Sequence, residues 1–77
     1  MELSNQLNDK KRIASAHSAL AITYSYLGQY SKSLEHHFET LRLREELGLV
    51  NATLKTYNNI GIVYQKIGLY SNAIEYY

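Results

Sequence analysis

Shifted by 40 residues, this sequence lies over itself: Leu3/Leu43, Leu7/Leu47, Ile22/Ile62, Tyr24/Tyr64, Gly28/Gly68, Tyr30/Tyr70, Ser31/Ser71 and Glu35/Glu75 are identical pairs. Eight of the 37 overlapping positions match, where roughly one in sixteen would by composition. Leu20/Ile60, Leu27/Ile67 and Leu34/Ile74 add conservative partners. A period of this length restricts the chain to stacked supersecondary units, each burying its apolar face only against a neighbour. Size points the same way. With 77 residues and no cysteine, neither disulfides nor thiolate metal sites can staple a core that by itself contributes only about 3–5 kcal/mol.

Within one unit the apolar spacing is helical. Ile13, Ala16, Leu20, Tyr24 and Leu27 follow steps of three and four, as do Leu34, Phe38 and Leu41. Gly28 and Gly68 follow the end of one stripe and Gly48 the end of the other, where a left-handed C-cap residue favours glycine. The spacing therefore predicts first helices over 10–27 and 50–67 and second helices over 30–47 and from 70 onward. No proline is present, so glycine makes the stops. The expected fold is all-α, with antiparallel helix hairpins stacked as an α-solenoid. Residues 1–8 align with 41–48 and are expected to end a preceding unit's second helix; 9–48 form one full unit and 49–77 a second, incomplete one. Such a chain is expected to be part of a longer array.

Composition narrows function by exclusion. Eight Lys/Arg against seven Asp/Glu give a net charge of +1, without the concentrated basic face that nucleic acid or an anionic membrane requires. No apolar run approaches the roughly 20 residues of a membrane span, and the polar start lacks a signal-peptide core. A soluble, cytoplasmic chain is expected. His36 and His37 invite a metal reading, but adjacent helical residues diverge by about 100°; His37 is expected to pack and His36 to face solvent. Lys10, Lys11 and Arg12 are expected in a solvated turn. With no nucleophile–base constellation and no phosphate-cradling loop, no catalytic residue, metal or cofactor is expected.

The punctuation then carries a resemblance. Asn59-Ile60-Gly61-Ile62-Val63-Tyr64, Gly68-Leu69-Tyr70 and Ala73-Ile74-Glu75-Tyr76-Tyr77 resemble the tetratricopeptide repeat, whose signature positions fall on Tyr57, Ile60, Gly61, Tyr64, Gly68, Tyr70, Ala73 and Tyr77. His17, Leu20, Ala21, Tyr24, Gly28, Tyr30, Ser33 and His37 take those places in the earlier unit. The spacing of 40, with no closing proline, is similar to the longer variety found in bacterial sensory and regulatory proteins and in kinesin light chains. The resemblance implies a non-catalytic protein-interaction module that binds a protein or extended peptide on its concave face. It also keeps open a sensing or docking segment of a larger bacterial signalling enzyme or transcriptional regulator.

Small residues at Ala21, Gly61, Ser33 and Ala73 would let paired helices approach closely. The repeat places Ser15, Ser18, Ile22, Ser25 and Tyr26, then Lys55, Asn58, Ile62, Gln65 and Lys66, on the concave face. Their amides, ammonium groups and exposed phenol suit an extended peptide or an acidic side chain. Asn59 is expected to be structural. The family's carboxylate clamp, a lysine and an asparagine, has Ser18 and Ile22 in its places and is absent. Leu3, Leu7, Ile74 and Tyr77 at open helix ends are expected to drive self-association into a homo-oligomer.

Overall fold

A computed structural model describes the backbone of residues 2–76 and the side chains of residues 8–68. The described residues form three α-helices: α1 (Glu2–Tyr26), α2 (Tyr30–Glu46) and α3 (Val50–Tyr76). They form a thin plate, 58 × 21 × 12 Å, with α2 packed against both neighbours. No helix is long and apolar enough to cross a membrane among the described residues.

Both turns are made by the chemistry the glycines announced. Gly28 and Gly48 have φ of 79° and 69°, which side chains with a Cβ adopt at a cost. At the first turn Gln29 N–H donates to Tyr24 O at 2.9 Å and Gly28 N–H to Ser25 O at 3.1 Å. At the second, Leu49 N–H donates to Arg44 O at 3.0 Å and Gly48 N–H to Glu45 O at 3.1 Å. Each is a Schellman cap that satisfies the last carbonyls of its helix. The three-residue connections force the helices antiparallel.

Two of the expected boundaries are overturned. Instead of starting near residue 10, α1 begins at Glu2 and runs through Asn8, Asp9 and the Lys10-Lys11-Arg12 cluster; α3 runs through Gly68. The physical reason lies in the cap. The image of Gly48 in the first half is Asn8, and no glycine or proline occurs between Glu2 and Arg12 to stop the helix. Gly68 stays inside α3 with no positive φ, and a helical glycine costs only about 1 kcal/mol relative to alanine. Breaking there would nucleate a new helix, which is the unfavourable step of helix formation. Consequently Lys10 lies on a helix, with Nζ 3.7 Å from Glu46 on α2.

Between α1 and α2 the contact is built from small residues in antiparallel register. Ala14 faces Thr40 and Ala21 faces Ser33, and all four are buried. Ser33 Oγ donates to Ala21 O at 2.7 Å, so a side chain small enough for close approach also meets its own hydrogen-bonding need. Thr40 Oγ1 donates within its helix to His36 O at 2.8 Å. On the other side of α2, Arg44 Nη1 donates to Thr56 Oγ1 at 2.8 Å, and Thr56 Oγ1 to Ala52 O at 2.9 Å. Thr56, Ile60 and Val63 give α3 its buried face.

Candidate functional site

Ile22 and Ile62 occupy the same place in the repeat, and the packing turns them into facing walls. α1 and α3 both rest on α2, and the C-terminal end of α1 meets the middle of α3 over it. The groove between them, about 230 Å³, is lined by Ile22, Ser25 and Tyr26 from α1, Asn59, Ile62, Val63 and Lys66 from α3, and His37 from α2 beneath. Lys66 Nζ donates to Ser25 Oγ at 3.2 Å and lies 5.7 Å from the centroid of the Tyr26 ring, a cation–π distance. Tyr26 is 83% exposed. Lys66 is therefore held at the mouth of the groove by a hydroxyl and a ring face, with no carboxylate in reach among the described residues.

The floor is unusual. His37 is only 2% exposed, and its Nδ1 has no hydrogen-bond partner among the described residues. Burial, with smaller contributions from Arg44 and His36, holds its pKa below the ordinary imidazole value. The groove floor is thus a neutral, polar ring between aliphatic walls. No group of three potential metal ligands occurs among the described residues.

Of the residues expected on the concave face, Ile22, Ser25, Tyr26, Ile62 and Lys66 meet in this groove. Asn58, Ile62 and Gln65 line a shallower depression with Tyr57 and Gly61, and Lys55 lies near the start of α3 beside Gly48 and Asn51. Ser15 is exposed and Ser18 half-buried, both outside the groove. Leu3, Leu7, Ile74 and Tyr77 lie outside the residues whose side chains are described. Asn59, expected to be structural, lines the groove. His37, expected only to pack, and Val63 were not foreseen in the groove because both belong to buried stripes; the packing of the helices adds them to its lining.

One expectation about histidine is corrected. His36 does not simply face solvent: its Nδ1 is 2.9 Å from His17 Nδ1, and its ring stacks on Tyr24 with centroids 5.5 Å apart. A bond between two Nδ1 atoms needs one proton between them, so one ring donates and the other accepts. The signal in the sequence was the antiparallel register, which brings residue 17 opposite the middle of α2. Away from the groove, Arg42 on the outer face of α2 pairs with Glu39 and, at 3.0 Å, with Glu46. The Glu39 carboxyl is consequently held below its usual pKa. Such exposed pairs contribute little.

A family model for the tetratricopeptide repeat matches residues 12–77. The chain belongs to the tetratricopeptide-repeat family. As this repeat it is a helical module of the kind that mediates protein–protein interaction and docking. Two relatives are both named outer dynein arm-docking complex subunit 4, from Danio rerio and Xenopus laevis. Each is 31% identical over 68 residues, or 88% of this chain. The chain spans only 14% and 13% of their lengths. No solved structure matches significantly.

Proposed function

We propose that this tetratricopeptide-repeat segment is a docking module whose groove between α1 and α3 takes an extended segment of a partner protein. The observation that carries the reading is the groove itself. Two isoleucine walls, an exposed tyrosine, an asparagine and a poised lysine converge there, an apolar slot with a few polar groups of the kind that binds extended peptides. The relatives' name as docking-complex subunits supports the same kind of work, holding one protein against another in an assembly.

Panning a display library of random decapeptides against the protein tests this. Binders are expected to lose affinity for an Ile22→Glu/Ile62→Glu variant and for the triple variant Lys55→Ala/Asn58→Ala/Lys66→Ala, with helicity by circular dichroism unchanged. Binders indifferent to both variants would place the peptide elsewhere and refute the groove assignment.

A second reading, self-association, is favoured by α3. Leu54, Tyr57 and Tyr64 are 61%, 51% and 52% exposed, and they share a stripe with Gly61. The equivalent stripe of α1 is Ala14, His17, Ala21 and Tyr24, which α2 covers. A second copy would give the α3 stripe the cover it lacks among the described residues. Sedimentation equilibrium at micromolar concentration is the check, and a monomer there would rule self-association out.

A further inference from the structure

We infer that the segment seated in the groove carries an internal aspartate or glutamate, its side-chain carboxylate on Lys66 and Ser25, beside an aliphatic residue that lies between Ile22 and Ile62. This rests on the groove as the binding site and adds the chemistry of its occupant.

Charge balance is the first support. The acidic residues with described side chains are Asp9, Glu35, Glu39, Glu45 and Glu46; one is near the start of α1 and the rest are on α2, and none lines the groove. Lys10 and Arg42 have carboxylates to pair with, whereas Lys66 has only a hydroxyl and a ring face. The concave residues of α3 therefore present cations and amides with no anion to neutralise them. A complementary occupant is acidic.

Donor geometry is the second support. An ammonium group has three N–H donors and no acceptor; one of Lys66's reaches Ser25 Oγ, which leaves two. Ser25 accepts that bond and keeps its own hydroxyl hydrogen, for which no acceptor occurs among the described residues. Three hydrogen-bond donors on two atoms 3.2 Å apart are thus left for an occupant, a number that suits the two oxygens of a carboxylate. The Tyr26 ring and Ser25 hold the ammonium in place before binding, so little side-chain entropy remains to be lost. The aliphatic walls Ile22 and Ile62 line the same groove, which puts the charge and the apolar side chain on nearby residues of the occupant.

Positional-scanning libraries of N-acetylated, C-amidated decapeptides, bound to the whole protein, provide the test. Selection of Asp or Glu over Asn or Gln is expected at one position by about tenfold, with aliphatic selection at a neighbouring position. Lys66→Gln keeps the apolar stem and should abolish the acidic preference while the aliphatic preference persists. Lys66→Glu should turn the preference toward Lys or Arg. Capped peptides that bind with no acidic preference, or with one unchanged in Lys66→Gln, overturn the inference and leave the groove reading standing. So does binding that requires a free C-terminus, since the carboxylate would then be terminal. Libraries that bind nowhere in the groove overturn both.

Discussion

Replacing His37 with leucine should make this protein more stable and remove a component of its acid sensitivity. The ring is 2% exposed and its Nδ1 has no partner among the described residues; a buried polar atom left unbonded costs about 1–3 kcal/mol. Leucine is apolar and close in volume, so it removes that cost with little overpacking. A gain of about 1 kcal/mol at pH 8 corresponds to a rise of roughly 4–8 °C in Tm for a domain of this size. The dependence on pH follows from the lowered pKa of the folded state. Unfolded, the imidazole binds a proton near pH 6.5; folded, it resists until the pH is lower. Between those values the unfolded chain holds more protons, so stability is complete above about pH 6.5 and is lost as the pH falls toward the folded-state pKa. His37→Gln should also abolish this acid limb, because glutamine does not titrate, but it keeps a buried polar group and should give no gain at pH 8. Urea melts by circular dichroism at pH 8, 7, 6 and 5 measure both effects. If wild type and His37→Leu stay parallel across that range, His37 is not the buried neutral imidazole described above.

The glycines should divide by sign. Gly28→Ala and Gly48→Ala place a Cβ at φ of 79° and 69° and should cost about 1–2 kcal/mol each, whereas Gly61→Ala and Gly68→Ala, in α3 with open space where the Cβ would stand, should stabilise by up to about 1 kcal/mol. A Gly68→Ala loss as large as that of Gly28→Ala in urea melts would put a turn where α3 is continuous. Ser33→Ala should cost about 0.5–1.5 kcal/mol through the lost bond to Ala21 O, and Ser33→Val about 1–3 kcal/mol by prising α1 from α2; equal thermal shifts would show that the contact is loose. Arg44→Met removes the bond to Thr56 Oγ1 and should cost about 1.5–3 kcal/mol. Hydrogen exchange is expected to speed up more in α3 than in α1, and a uniform change would refute the local role of Arg44.

What the sequence made legible was local chemistry repeated. The bounds of α2, the C-terminus of α1 and the start of α3 could be placed to within a residue or so, because a left-handed glycine after a helical stripe has few other uses. The close pairing of Ala21 with Ser33 was also readable, since two small residues at matched places in paired helices leave no other filler. Gly68 misled for an instructive reason: a glycine permits a left-handed turn without requiring one, and the backbone around it is satisfied by a continuous helix. His17 and His36 were missed because each looks ordinary in its own helix. Their contact belongs to the register between helices, which spacing within either one does not display.

The groove was half legible, and the halves differ in kind. Its walls, Ile22 and Ile62, are identical images under the 40-residue shift, so the repeat itself guarantees an aliphatic slot wherever two first helices meet. Its charge is not repeated. Lys66 stands at the image of Tyr26, and in the folded chain the two images touch, the ring of one steadying the ammonium of the other. The neighbouring image pair behaves likewise, with serine at 25 and glutamine at 65, and the serine is the one that holds Lys66. A repeated slot with a changing residue at its mouth is a means by which a helical array can keep one backbone geometry and recognise different side chains along its length. In this unit the residue at the mouth is a lysine with no carboxylate in reach among the described residues, and the side chain it selects should be acidic for that reason.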